Sequence, residues 1–191
     1  LSDNKSLDLA HKEITFWQDK LDRAPNQSTY LGMLASNYAV LFEYTGAIEN
    51  LYKTESLLEE ANKANNYGRV GTLRSLARNY IAQHRFKEAL DLTNKAFAIG
   101  EGKKETQKLL FDVQMELGNY EGALENLNAL KDFNDYDYLI RIAKWNDHIG
   151  DLPAAIKFME KARTIAEKEG NKTLRIWSYS NLGDFYGHAG R

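Results

Sequence analysis

The residues best equipped for chemistry in this sequence are its four histidines, His11, His84, His148 and His188, its 27 acidic side chains and its 25 lysines and arginines. Histidines and carboxylates gathered on one helix face would make a metal site or a general acid–base pair. The spacing does not gather them. Three of the histidines fall at or just before polar breaks, one helix pair or more apart. His84 and Glu88 straddle such a break and so share no helical face, and Asp147-His148 offers two ligands where a structural zinc site takes four. Acidic neighbours such as Glu59-Glu60 and Asp135/Asp137 fall in helix ends and loops. The sequence contains no G-x-S-x-G, no phosphate-binding glycine loop and no H-E-x-x-H. It also has no cysteine, which removes disulfides, thiolate metal sites and cysteine nucleophiles. These residues predict no catalysis, no cofactor and no metal.

The cations carry a sharper signal. Arg74, Arg78, Lys108, Arg141 and Lys144 sit off the apolar stripe of successive helices, in a chain whose net charge is −2. Ser36, Met33 and Ser75, then Asp112, Asp147, Asn181 and Asp184, occupy comparable positions. Such a basic stretch in a mildly acidic protein predicts an acidic or carboxylate-bearing peptide partner, held by charge-assisted hydrogen bonds. The competing reading is a solvated helix face whose charges pair at i,i+4. Nucleic acid is disfavoured, because a binding face for it would be basic throughout and this one interleaves aspartates. A membrane is disfavoured too, since no apolar run approaches the ~20 residues a spanning helix needs.

What must position these side chains is a set of helices. Two prolines in 191 residues, 43% apolar and 27% charged composition, and few alternating β-branched runs describe an all-α chain with a sizeable core. The stretch Leu73–Ile99 shows the plan. Leu73, Leu76, Ala77, Tyr80 and Ile81 recur at helical spacing, as do Phe86, Ala89, Leu90, Thr93, Ala96 and Phe97, with Gln83-His84-Arg85 between them. One such pair cannot cover its own apolar stripe and needs neighbours of the same shape.

The chain supplies them. A helix over 6–23, with Ser6 as its N-cap, precedes Ala24-Pro25-Asn26. Pairs follow over 29–62, 70–101, 103–131 and 136–168, and a lone first helix runs over 173–191. In the first pair the break is expected near Glu43, and residues 62–69 are expected as a polar loop. Aligning Ala47, Ala89, Ala123 and Ala155 gives spacings of 42, 34 and 32 residues, and Leu182 follows Ile142 by 40. The longer spacings are expected to lie in the polar linkers.

These residues resemble the tetratricopeptide repeat, W-x2-L-G-x2-Y, then A-x3-F, then P, over 34 residues. The second pair carries it best, through Leu73, Leu76-Ala77, Tyr80, Phe86, Ala89 and Ala96. Tyr179, Leu182-Gly183, Tyr186 and Gly190 carry it at the end, and Leu31, Leu34-Ala35, Tyr38 and Ala47 at the start. The third pair departs, with Phe111 at the small position, and the fourth has Asn146 in place of tyrosine. The resemblance implies a right-handed α-solenoid of helix-turn-helix repeats, with residues 1–28 as a cap or half repeat. It also implies a non-catalytic scaffold that binds an extended peptide or partner protein along a groove of first helices. Some members of that family hold chaperone C-termini with two lysines, two asparagines and an arginine. The matching places here are Gly32, Ser36, Ser75, Glu105 and Leu109, or one repeat on, Arg74, Arg78, Leu109, Asp137 and Arg141, so that clamp is not implied.

The alternatives are self-assembly through the ends of the repeat stack and a regulatory module of a larger protein. Trp177, Tyr179, Phe185 and Tyr186, with Leu182, are expected to lack a covering second helix. Either the native chain continues beyond Arg191 or a second molecule, as in a homodimer, covers them. A start at Leu1 rather than Met suggests an internal beginning. The compartment stays open, cytoplasmic or exported after removal of a signal segment.

Overall fold

The structure, a computed structural model, describes residues 2–25 and 27–190, with side chains from residue 5 onward. Among the described residues it is ten α-helices and no strand. Two compact units divide between Leu117 and Gly118.

The first unit holds α1 (Ser2–Arg23), α2 (Ser28–Thr45), α3 (Ile48–Ala64), α4 (Val70–Ala82), α5 (Phe86–Ile99) and α6 (Lys103–Glu116). Its core takes the predicted stripes. Leu31, Leu34, Ala35, Leu73, Leu76, Ala77, Tyr80, Ala89 and Ala96 form one buried cluster, with Ile14, Trp17 and Leu21 of α1 packed against it. Ala35, Ala77, Ala89 and Ala96 are fully buried, because a methyl group lets two helix backbones approach closely.

The second unit holds α7 (Tyr120–Ala129), α8 (Tyr136–His148), α9 (Leu152–Lys168) and α10 (Lys172–His188). Leu139, Ala143, Ala155, Met159, Ala162, Leu182 and Phe185 make its core. Pro153 lies in the first turn of α9, where a missing N–H costs little, and Asp151 caps that helix by accepting from the Ala154 N–H.

Four expectations are corrected. Ser6 is no cap: α1 begins at Ser2, because a first turn of polar residue types carries no apolar periodicity to mark it. Asn62 is not in a loop. It is fully buried in α3, where its amide donates to the Leu58 and Thr72 carbonyls, and the linker begins only at Asn65.

The third correction concerns the first pair. α2 runs on to Thr45 and stops at Gly46, whose φ of 67° and N–H bond to the Phe42 carbonyl make a left-handed cap. Ala47 is therefore a half-exposed N-cap and not a crossing alanine. Counting back seven residues from the buried Ala61, Ala96 and Ala162 gives Thr54, Ala89 and Ala155, all buried. Second helices thus recur every 35, 34 and 32 residues through Thr54, Ala89, Ala123 and Ala155.

The fourth follows from it. From Ala35 to Thr54 is 19 residues, whereas Ala77 to Ala89 and Ala143 to Ala155 are 12. The extra seven residues are about two helical turns, and they lengthen the α2/α3 hairpin itself rather than a linker. After the fourth pair the extra residues likewise sit in helix, since only residues 169–171 separate α9 from α10.

Turns between partners use a left-handed residue. Gly118 (φ 73°) and Gly150 (φ 82°) fill that place in later pairs, but His84 fills it between α4 and α5 at φ 58°. Among the described residues no helix is long and apolar enough to cross a membrane.

Candidate functional site

The overshoot of the first hairpin makes a cavity. Up to Tyr38 the register of α2 matches that of α4 up to Tyr80; beyond Tyr38, α2 continues for two turns while α4 ends at Ala82. α2 packs on α3, and α3 on α4, but α2 and α4 scarcely touch. Between them lies a cavity of about 320 Å³. Gly32, Ala35, Ser36 and Ala39 line its α2 wall, with Phe42 and Glu43 from the overshoot. Ser75, Arg78, Asn79 and Ala82 line the α4 wall, and Leu51, Thr54 and Leu58 of α3 form the floor.

The lining is mostly apolar, and three of its polar side chains are spent on backbone. Thr54 Oγ1 donates to the Asn50 carbonyl at 2.8 Å, Asn79 Nδ2 to the Leu51 carbonyl at 3.0 Å and Ser75 Oγ to the Gly71 carbonyl. Small residues on both walls leave room for a bulky apolar group, and Glu43 and Arg78 put one charge of each sign on the lining.

A polar lock holds this geometry. Tyr80 Oη donates to Glu59 at 3.0 Å, and Gln83 Nε2 donates to Glu55 at 2.7 Å and to Asn79 Oδ1. Arg85 binds Glu55 at 2.6 Å and Glu88 at 2.9 Å and lies 4.1 Å from the Tyr80 ring centre. Burial, followed by the Glu59 hydrogen bond, pushes the Tyr80 phenol up to about 12. Its hydrogen bonds to Glu88 and Glu55 raise the Arg85 guanidinium still further above its ordinary value, and Arg85 in turn lowers the Glu88 carboxyl.

The predicted site residues divide between the units. In the first, Arg78 lines the cavity with Ser36 and Ser75. Arg74 does not join them: its guanidinium donates to the Gly102 carbonyl at 3.0 Å and ties α4 to the start of α6. Lys108 pairs with Glu105 at 2.9 Å, with a side chain only 13% exposed, and Asp112 is half-buried further along α6. Met33 is exposed on α2.

In the second unit Arg141 donates to the Asp137 carbonyl, with an 11% exposed side chain, while Lys144 is exposed on α8. Asp147 lies 3.9 Å from His188, and His148 stacks on Tyr120 with ring centres 4.0 Å apart. Asn181 donates to the Trp177 carbonyl, and helical spacing sets Trp177, Asn181 and Asp184 on one side of α10.

Phe185, expected to be uncovered, is 8% exposed and packed in the core with Leu182, because it falls two turns beyond the buried Ser178 on the inner face of α10. Tyr186 is half-buried with its hydroxyl on Glu160. Trp177 and Tyr179 do stand out, at 42% and 50% exposure. Tyr179 donates to Glu167, which raises its phenol above the ordinary value. Burial raises Tyr136, which shares a 3.0 Å hydrogen bond with Ser178.

Periodicity missed Ala39, Phe42, Glu43, Leu51, Thr54, Leu58, Asn79 and Ala82 as site residues. The signal available was Gly46, a C-cap glycine placed well past the expected break.

No protein-family model matches the chain, and no curated protein does. Solved structures do match in fold. A crystal structure of the APC/C hetero-tetramer Cut9-Hcn1 aligns over 94% of this chain and 34% of that one, with TM-score 0.79 and 17% identity. TTC0263, a thermophilic TPR protein in Thermus thermophilus, aligns over 94% and 98% with TM-score 0.68 and 19% identity. YrrB, a TPR protein with an unusual peptide-binding site, aligns over 88% and 91% with TM-score 0.57 and 14% identity. The chain spans about a third of the first of these and nearly the whole length of the other two. Its fold is that of the tetratricopeptide repeat.

Proposed function

We propose that this chain is a protein-interaction scaffold whose first unit holds an extended peptide against α2 and α4, with one bulky apolar side chain seated in the cavity between them. The observation that carries it is the 320 Å³ opening created where α2 overshoots α4, walled by Gly32, Ala35, Ser36, Ala39 and Ala82 and floored by Leu51 and Leu58. Small walls and spent polar groups favour an apolar anchor, since burying a large side chain fully is worth roughly 1.5–3 kcal/mol. Arg78 on the same lining favours a carboxylate beside that anchor, by charge-assisted hydrogen bonding. The acidic partner expected from the sequence thus becomes an apolar residue with an acidic neighbour. YrrB, which shares the fold, has a peptide-binding site.

Peptide-display selection tests the proposal. A random library is panned on the whole chain, with Ala39→Trp as the filled-cavity control. Enriched sequences share a Leu, Phe, Trp or Met with Asp or Glu nearby, and a synthetic peptide from the pool loses at least tenfold in affinity on Ala39→Trp. Sequences without an apolar consensus, or equal binding by both proteins, refute it.

A further inference from the structure

The cavity of the first unit is not electrically even from end to end. Asn79 of α4 donates to the Leu51 carbonyl near the start of α3, and Asn62 near the end of α3 donates to the Thr72 carbonyl near the start of α4. α4 therefore runs opposite to α3, and so does α2, which folds back into α3 through Gly46 and Ala47. The two cavity walls are parallel helices, and both finish at the same end of the cavity, α4 at Ala82 and α2 at Thr45. Carbonyls at such ends carry partial negative charge. Glu43 adds a full one, because it stands exposed on the cavity lining in the last turn of α2.

That is where a helix least favours an anion, and neither α2 nor α4 has a basic residue in its last turn to offset it. α3 brings an N-terminal end to the same tip, but Glu49 in its first turn balances that. Nearby carboxylates are occupied within the fold, Glu59 by Tyr80 and Glu55 and Glu88 by Arg85. The cation of the lining, Arg78, lies deeper, at the level of Ser36 in the shared register. From position 36 to 43 the axial rise is about 10 Å. The cavity thus has a positive group toward one end and a negative end at its mouth, with apolar lining between.

Building on the peptide reading of this cavity, we infer that its ligand carries a lysine or arginine as well as an acid. The carboxylate lies at Arg78, the apolar side chain fills the space between, and the cation lies at Glu43 over the C-terminal ends of α2 and α4. An extended chain covers that distance in about three residues, so acid and base flank the anchor. Reversing the peptide would set like charges together at both ends, so a given sequence is held in one direction.

The test pans the random library on the whole chain and on Glu43→Lys, an exposed substitution whose circular dichroism and melting should match wild type. Wild type should enrich an apolar residue with Asp or Glu on one side and Lys or Arg on the other. Glu43→Lys should keep the apolar residue and lose the basic one. A synthetic peptide from the wild-type pool, acetylated and amidated so that only side chains carry charge, should bind Glu43→Lys about fivefold more weakly, and exchanging its Lys or Arg for Glu should restore the loss. Both changes should shrink as salt rises. One consensus on both proteins, or a basic residue that can become Glu without effect on wild type, overturns the inference; a loss of binding on Ala39→Trp then leaves the apolar seat standing. A pool without an apolar residue overturns both.

Discussion

The two hairpins of the first unit were built from one pattern and differ in length, and that difference decides what each can do. The α4/α5 hairpin turns over within three residues, and Ala77 and Ala89 meet fully buried. Its neighbour α6 is drawn in by the Arg74 to Gly102 bond. The α2/α3 hairpin carries seven more residues between its crossing positions, so α2 runs past the end of α4 and a cavity opens. In the α4/α5 hairpin the crossing residues are in step and buried; in the α2/α3 hairpin the spacing is longer and a space opens beside it. Length mismatch, more than any charged residue, singles out the first hairpin.

Core substitutions should separate the two most strongly. Ala77→Leu forces extra volume into a closed crossing and should cost about 1–3 kcal/mol in urea unfolding. Ala39→Leu should change stability by less than about 0.5 kcal/mol, because the added carbons enter open space. Equal losses at both positions would show the first hairpin to be as tightly packed as the second.

The lock between the hairpins comes next. Tyr80→Phe removes the bond to Glu59 and should cost about 1.5 kcal/mol at neutral pH. The phenol is raised in the folded state, so its contribution is complete below pH ~10, the unfolded value, and fades as pH rises toward 12. Wild type should therefore lose stability over that interval by more than Tyr80→Phe does; parallel curves in a pH series of melts would remove the assignment.

Gly102→Ala should cost about 1 kcal/mol, since φ there is +54° and a methyl would meet Arg74 Nη1 at 2.9 Å. The smallest change runs the other way. Gly183→Ala, in a helix interior with nothing near, should raise stability by roughly 0.5–1 kcal/mol through helix propensity alone. Thermal melts of both glycine variants check the pair of signs.

Much of this was legible before any coordinates. Stripes such as Leu73, Leu76, Ala77 and Tyr80 are local, repeat in tandem and must be buried together, so they name helices, partners and the repeat. The site was harder to read, because a cavity depends on where helices stop relative to each other. Ala47 looks like a crossing alanine by type, and only the cap at Gly46 reveals that Thr54 takes that place. Arg74 looks like a groove cation by spacing, but its reach to the Gly102 carbonyl depends on how close α6 lies.

The sequence alone determined an all-α repeat and most of its buried residues, because apolar periodicity and small residues at crossings act over three or four positions. Tertiary structure decided which charges are spent holding helices together and where a space remains. Those outcomes depend on the relative length of helices far apart in the chain, and no local pattern encodes them.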